Sequence, residues 1–204
     1  NNGQINYYGL EPIIDNLIAS DREFDFYGGA ETISLTDSGG ADGKMTIDST
    51  LGESVTFTNP TSLLAIYAID GDDSITVASV DSAYTSSLSV DGGMGTDSLQ
   101  VNAALTLGSV TSAGTVNLTA ETIQITAAID TTIVATGTVD LTADDVTLSN
   151  SITTGDANVS ISATNSLVFS GANAGVDAGG GNVSITQGAT GSITSGSAAF
   201  DIIA

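Results

Sequence analysis

The sequence predicts an all-β fold: a right-handed parallel β-helix, or solenoid, of about eight coils with a repeat of roughly 22 residues. Three observations lead to this prediction. Short runs alternate apolar and polar residues, a corner pattern recurs at near-constant spacing, and helical periodicity is missing after residue 20. We expect a right-handed coil because connections between parallel strands almost always cross over in the right-handed sense.

The corner pattern is an acidic residue or asparagine just before a short apolar strand. Its clear copies are centred on Glu31, Glu53, Asp73, Asp97, Glu121, Asp144 and Asn165, and a weaker copy lies at residues 191–193. The intervals between the clear copies are 22, 20, 24, 24, 23 and 21 residues. Because each coil must bury its apolar residues against the next, we expect a continuous inward ladder. That ladder would contain Ile33, Val55, Ile75, Leu99, Ile123, Val146 and Leu167.

The repeats divide the chain into two parts. Residues 1–20 form an N-terminal cap or donor segment, and residues 21–204 form the parallel β-helix. Within the first part, residues 12–19 could make a short helical capping turn, since proline suits the first position of a helix. The competing fold is a β-sandwich, but sandwich strands usually return every 8–12 residues or so, which does not fit the longer, even spacing.

The composition excludes several classes of function. Cysteine, histidine and tryptophan are absent, which removes disulfides, thiolate metal sites and the commonest general base. The net charge of −22, from 24 acidic and 2 basic residues, excludes nucleic-acid binding through the phosphates. No apolar run is long enough to span a membrane. A folded β protein with almost no lysine suits an extracellular or cell-surface localisation.

Residues 115–125 and 138–148 carry the clearest repeat. They read Thr-Val-Asn-Leu-Thr-Ala-Glu-Thr-Ile-Gln-Ile and Thr-Val-Asp-Leu-Thr-Ala-Asp-Asp-Val-Thr-Leu. This pattern resembles the β-helical repeats of filamentous-haemagglutinin-type adhesins. The opening residues 5–13, with the acidic coils after them, resemble modules that are repeated in very large bacterial surface proteins. The resemblance implies an exported, non-catalytic, repetitive surface or fibre protein.

Residues 92–99, Gly-Gly-Met-Gly-Thr-Asp-Ser-Leu, are similar to the turn of haemolysin-type calcium repeats. Glycines make a tight turn and the aspartate supplies a hard oxygen ligand, which suits Ca²⁺. A shortened copy lies one coil earlier at residues 71–75. Stacking of the two turns would gather the predicted Ca²⁺ ligands Asp70, Asp72, Asp73, Asp91 and Asp97. The family's repeats come in tandem whereas this motif is complete only once, so plain Gly-Asp corners are the alternative.

Paired carboxylates also suit glycoside hydrolysis, which some parallel β-helices catalyse. Asp72 with Asp73, or Asp144 with Asp145, could serve. Adjacent residues on a strand point to opposite faces, however, and the chain has almost no arginine, lysine or tryptophan to hold a sugar. We therefore expect a protein that is not an enzyme.

The two ends of the predicted solenoid are apolar and have no coil partner. Unpaired strand edges invite pairing with another chain. The predicted assembly interface consists of Ile5, Tyr7, Leu10, Ile13, Phe200, Ile202 and Ile203. A head-to-tail contact that does not close generates a fibre, so the expected partner is a second copy or an adjacent module.

The sequence therefore predicts a structural subunit or module of an extracellular filament, sheath or adhesin stalk. This unit would assemble head-to-tail through its open ends. The first alternative is a calcium-binding adhesive surface module of a larger protein. The second is a carbohydrate-active β-helix enzyme.

Overall fold

The computed structural model describes residues 12–109 and 112–195, together with the backbone of residues 202 and 203. In these residues all regular structure is β-strand, and none is helical. The strands form a β-solenoid of about five turns and not a barrel. The prediction of an all-β solenoid is therefore confirmed. The expected count of about eight coils is not confirmed, and the right-handed sense stays a prediction.

Three faces of stacked parallel strands form the solenoid. The first face contains β2 (Asp21–Asp25), β6 (Leu63–Tyr67), β8 (Ser87–Asp91), β11 (Val116–Thr119), the first halves of β14 (Val139–Leu148) and β16 (Val159–Phe169), and β18 (Val183–Gln187). The second face contains β3 (Thr32–Asp37), β7 (Ser74–Val77), β9 (Ser98–Val101), β12 (Thr122–Ile125), the second halves of β14 and β16, and β19 (Ser192–Ser195). The third face contains β10 (Leu105–Thr106), β13 (Ile129–Thr131), β15 (Ser151–Thr154), β17 (Gly175–Asp177) and β20 (Ile202–Ile203).

The core is a set of apolar ladders that run along the solenoid axis. On the second face Leu99 pairs in register with Ile123, and Ile123 pairs with Val146. All three side chains are at most 1 % exposed, so their predicted inward stacking is confirmed. The complete second-face ladder is Ile33, Ile75, Leu99, Ile123, Val146, Leu167 and Ile193. Because strands alternate their side chains, the residues between these positions face outward.

The prediction that Val55 belongs to this ladder is wrong. Ile33 pairs directly with Ile75 in the next coil, and Val55 pairs with Ile47 and Ile13 instead. The reason is a β-hairpin inserted after β3: β4 (Lys44–Ser49) runs antiparallel to β3, and β5 (Val55–Thr58) runs antiparallel to β4. What reads in the sequence as a separate coil is therefore the return strands of a hairpin.

The hairpin closes the N-terminal end of the core, together with β1 (Ile13–Asp15), which pairs in parallel with β5. Strands β1, β4 and β5 are called the N-terminal cap below. The Phe57 ring is fully buried, with its centroid 4.9 Å from that of Phe24 on the first strand of the first face. The Arg22 guanidinium lies 5.4 Å from the Phe57 ring centroid and donates to an Asp15 carboxylate oxygen at 2.6 Å. The helical turn considered for residues 12–19 is wrong, since residues 13–15 are a strand.

The C-terminal end has no comparable cover among the described residues. Strands β18 and β19 pair only with β16, and β20 pairs only with β17. Ile193 ends its ladder with 48 % of its side chain exposed, whereas Leu167 beneath it is fully buried. Within the residues that the structure describes, no helix is long and apolar enough to cross a membrane.

Candidate functional site

Four acidic residues stack at the corner between the first and second faces, one in each successive coil. These residues, Glu31, Asp73, Asp97 and Glu121, are called the acid column. Each of the last three accepts a hydrogen bond from the backbone amide of the column residue one coil earlier. The three distances between amide nitrogen and carboxylate oxygen are 2.7 Å, 2.8 Å and 2.7 Å. The column thus binds neighbouring coils to one another through their corners.

Three of the four residues in the acid column are buried, which is unusual for carboxylates, and Glu121 is half-buried. Glu31 is 5 % exposed, and Asp73 and Asp97 are each 2 % exposed. One carboxylate oxygen of each of these three residues has no hydrogen-bond partner among the residues that the structure describes. A buried charge without compensation favours the protonated form. Burial, together with the negative charges of Glu121 and Asp73, raises the pKa of Asp97 to about 6. Burial also raises the pKa of Asp73.

The column ends at β14, where the pairing with β16 contains a bulge: one residue of β14 lies opposite two residues of β16. The pairing of β14 with β16 shifts between Ala143 and Asp145. The backbone amides of Asp144 and Asp145 both donate to the carbonyl oxygen of Glu121, at 3.0 Å and 2.9 Å. The acidic residue before an apolar strand recurs at this corner of the sequence. The hydrogen bond from a backbone amide to the carboxylate of the next coil, seen in the earlier corners, is not repeated among the described residues.

The glycine turns at residues 69–73 and 92–97 stack on one another, which the calcium-repeat resemblance implies. The Gly71 amide donates to the Met94 carbonyl at 2.9 Å, and the Thr96 amide donates to an Asp72 carboxylate oxygen at 2.9 Å. Gly95 lies so close to the turn beneath it that a Cβ atom there would be 1.7 Å from the Gly71 carbonyl oxygen. Only glycine fits at this position.

The five predicted calcium ligands are divided between the interior and the surface. Asp73 and Asp97 belong to the buried acid column. Asp70 and Asp72 are exposed on the turn, and half-buried Asp91 ends β8, where its carboxylate accepts the Gly93 amide at 3.0 Å. The structure therefore stacks the two turns, but it does not gather the five carboxylates: two are buried, two are exposed and one is half-buried.

Three other carboxylates come closest to a metal-binding arrangement in the described part of the chain. One oxygen each from Asp37, Asp42 and Asp81 lies within 4.8 Å of the other two. Asp37 ends β3, Asp42 lies in the hairpin loop before β4, and Asp81 lies in the loop after β7. Carboxylate oxygens are the ligands that Ca²⁺ and Mg²⁺ prefer, so this cluster could hold a divalent cation.

Asp81 fixes this cluster to the body of the solenoid. It is only 1 % exposed, and its carboxylate accepts hydrogen bonds from the Asn59 amide group at 3.0 Å and the Ala83 backbone amide at 2.8 Å. Its other oxygen accepts from the Gly43 amide at 3.2 Å. Sequence reasoning missed the cluster. The acid-glycine turn at residues 37–43 gives a local signal, but nothing in the sequence indicates that Asp81 lies beside it.

The residues predicted for assembly are only partly described. Ile5, Tyr7, Leu10 and Phe200 lie outside the described residues. Ile13 is 7 % exposed and pairs with Val55 within its own chain, so it is already used by the N-terminal cap. The backbones of Ile202 and Ile203 pair with β17 on the third face.

No family model, curated protein or solved structure matches this chain.

Proposed function

We propose that this chain is a structural, non-catalytic module of an extracellular filament, sheath or adhesin stalk. The observation that carries the proposal is the register of the strands. Each face repeats the same pairing from coil to coil, and the resulting apolar ladders run along one axis. Such a solenoid extends by adding coils at its ends, so it suits a spacer or fibre element.

The placement of the carboxylates supports a non-catalytic role. Asp73 is buried while its neighbour Asp72 is exposed, so this pair does not present two carboxylates to one substrate. Asp144 and Asp145 are both half-buried, and their backbone amides are engaged in the bulge. Retaining glycosidases need two carboxyl groups facing one bond at about 5 Å, and inverting enzymes need them further apart.

The module joins its neighbours through the ends of the solenoid, either as a second copy or as the next module of a longer chain. The sequence predicts head-to-tail order for this contact. The high negative charge opposes side-by-side contact, so association follows the axis.

Electron microscopy of the purified chain, with mass measurement by light scattering, tests the proposal. We expect assemblies of two or more copies that are one solenoid wide. Particles that stay single at high protein concentration would contradict end-to-end joining of separate copies and leave only the next module of a longer chain as the neighbour. Turnover of an acidic polysaccharide would contradict the non-catalytic role.

A calcium-binding surface module is the second candidate function, and the cluster of Asp37, Asp42 and Asp81 favours it. The hypothesis is that Ca²⁺ bound there ties the hairpin loop to the solenoid. A ligand that binds only the folded state stabilises it by about 2.7 kcal/mol at a hundredfold excess over its Kd. Thermal melts in EDTA and in millimolar Ca²⁺ measure this effect. Asp42→Asn should abolish it, and Asp48→Asn, on an exposed residue of β4, is the matched control.

Melts that superimpose with and without Ca²⁺ would leave this cluster as an ordinary acidic loop. A rise in melting temperature with Ca²⁺ that persists in Asp42→Asn would show that the calcium site lies elsewhere. The stacked turns around Asp73 and Asp97 are the next place to examine, as the sequence predicts.

A further inference from the structure

A groove of about 170 Å³ lies at the corner between the first and second faces, away from both ends of the solenoid. It exists because the corners of successive coils differ in length. The connection from β8 to β9 has six residues, 92–97, and the connection from β11 to β12 has only two, 120–121, whereas the next corner lies inside the continuous strand β14. The exposed glycine turn therefore projects beside the shorter corners, and Gly93 forms one wall of the groove.

Carboxylate, hydroxyl and methyl groups line the groove. Its two carboxylates are half-buried, and its two alanines, 6 % and 7 % exposed, form an apolar floor. Two exposed threonines pair in register one coil apart and add a short row of hydroxyl side chains. The lining residues from these two coils are Thr119, Ala120, Glu121, Thr142, Ala143 and Asp144.

A third carboxylate, that of Asp97, lies at one end of the groove. Asp97 is 2 % exposed, and its Oδ2 atom has no hydrogen-bond partner among the described residues. This oxygen lies beside Gly92, where a Cβ atom would be 2.5 Å away, and the Asp97 carboxyl group is close enough to that of Glu121 for a side-chain hydrogen bond. Two ionised carboxylates have no proton to donate to each other, so this end of the groove favours a positively charged donor.

The chain itself supplies no such donor. Its only basic residues are Arg22 and Lys44; the Arg22 guanidinium donates to Asp15, and the Lys44 ammonium donates to Asn16 Oδ1 at 2.7 Å. The cation must therefore come from another molecule, and the net charge of −22 raises the concentration of cations near the surface. An organic cation suits the groove better than a metal ion, because its acids do not form a set of three close carboxylates such as the cluster described above.

We propose that this groove binds a primary alkylammonium group, the chemistry of a lysine side chain or of a free alkylamine. An ammonium group has three N–H donors, which suit the carboxylates of Glu121 and Asp144 and the hydroxyl of Thr142. Its alkyl stem lies on the methyl groups of Ala120 and Ala143, as lysine stems lie on apolar surfaces. Because the groove is shallow and open, we expect a dissociation constant of about 1 mM.

Titration of the isotope-labelled natural chain with n-butylammonium, followed by NMR in EDTA, tests the proposal. The backbone amides of residues 119–121 and 142–144 should shift and saturate at millimolar concentrations. The control probe is n-butyltrimethylammonium, which has the same charge and stem but no N–H donor. We expect it to bind about tenfold more weakly, because it makes no charge-assisted hydrogen bond. Equal affinity for the two probes would overturn the proposed recognition.

Two variants locate the site. Asp144→Asn removes one carboxylate from the groove and should weaken n-butylammonium binding about tenfold. Asp130→Asn is the matched control, because Asp130 is also half-buried but lies on the third face, and it should leave the affinity unchanged. Melting temperatures check that both variants fold. Unchanged affinity in Asp144→Asn, or similar shifts at every acidic corner, would overturn the site and leave only nonspecific attraction of cations.

A third probe distinguishes the two sources of the ammonium group. Saturable binding of Nα-acetyl-lysine amide at the same amides would support a lysine side chain of another protein as the ligand. Binding of n-butylammonium alone would support a free alkylamine. The groove lies on the side of the solenoid, so these results are independent of end-to-end joining, which microscopy tests separately.

Discussion

Asp97 is almost fully buried, yet one of its carboxylate oxygens contacts no hydrogen-bond donor in the described part of the chain. Its other oxygen accepts the Asp73 amide, so the residue is needed for the corner but poorly suited to carry a charge there. The sequence predicted these corner acids from their spacing. It could not predict their burial, because the same spacing describes acids that face solvent.

The buried acids make stability depend on pH in a defined direction. The pKa of Asp97 is about 6 in the folded chain and 3.8 ordinarily, so the folded state binds this proton more tightly. The free energy of unfolding therefore falls as the pH rises from about 4 through about 6. Asp97→Asn removes this titration and should flatten the curve. Urea unfolding at several pH values in EDTA measures it.

Asp48→Asn controls for the loss of one negative charge, because Asp48 is exposed. It should keep the pH dependence of the natural chain. If the free energy of unfolding changes equally with pH in Asp97→Asn and in the natural chain, the buried acid does not control this dependence.

A core residue gives the plainest prediction at this scale. Leu99→Ala leaves a cavity inside the second-face ladder and should lower the free energy of unfolding by about 2–5 kcal/mol. Gln100→Ala changes the outward neighbour and should cost only a few tenths of a kcal/mol or so. Chemical denaturation measures both. Similar losses for the two variants would contradict the inward placement of Leu99.

At the scale of strands and turns, the hairpin after β3 is the feature that the repeat pattern concealed. Residues 52–55 have the acid-polar-apolar pattern of a coil corner, yet they lead into β5, which runs antiparallel to β4. Local pattern identifies a strand but not its direction. The length of the connection does not settle the direction either: the six-residue connection 38–43 returns the chain antiparallel beside β3, whereas the six-residue connection 92–97 turns a corner onto the next face. In the later coils the chain turns this corner each time, and there the spacing predicted the register correctly.

The stacked turns predict a difference between two glycines. Both Gly95 and Gly29 have positive φ, but a Cβ atom at Gly29 meets nothing within 4 Å. Gly29→Ala therefore measures the backbone strain alone, about 1–2 kcal/mol. Gly95→Ala adds a collision with the Gly71 carbonyl and should cost about 3 kcal/mol or more. Thermal melts compare them, and equal losses would show that the two turns do not stack this closely.

At the scale of the whole molecule, the two ends differ in cover and in charge among the described residues. The N-terminal end has the cap, a salt bridge between Arg22 and Asp15, and an aromatic pair in which Phe57 is fully buried and Phe24 partly buried. The C-terminal end has exposed strands and no charged residue between Ala178 and Ser195. The sequence places 16 of the 24 acidic residues in residues 1–100. It did not indicate that, among the described residues, this acidic end is the one closed by the N-terminal cap.

This asymmetry predicts a gradient of amide hydrogen exchange. In a solenoid each coil is stabilised by its neighbours, so a terminal coil without cover opens most readily. We expect the slowest exchange in β9, β12 and β14, and the fastest strand exchange in β18 and β19. Mass spectrometry of exchanged peptides measures the gradient, at a protein concentration low enough to disfavour association between copies. Equal protection at the two ends would contradict it.

The inserted hairpin also has a consequence for the order in which the chain acquires its structure. Strands β3 and β4 meet across a loop of six residues, whereas Glu31 reaches Asp73 only 42 residues later. Closing the short loop loses less chain entropy, and hairpins form within microseconds. The hairpin of β3 and β4 can therefore form before any full turn of the solenoid has closed. The other edge of β3 is then available to pair with β7, which follows later in the chain. Synthesis from the amino terminus would deliver each new turn to a strand edge that is already formed.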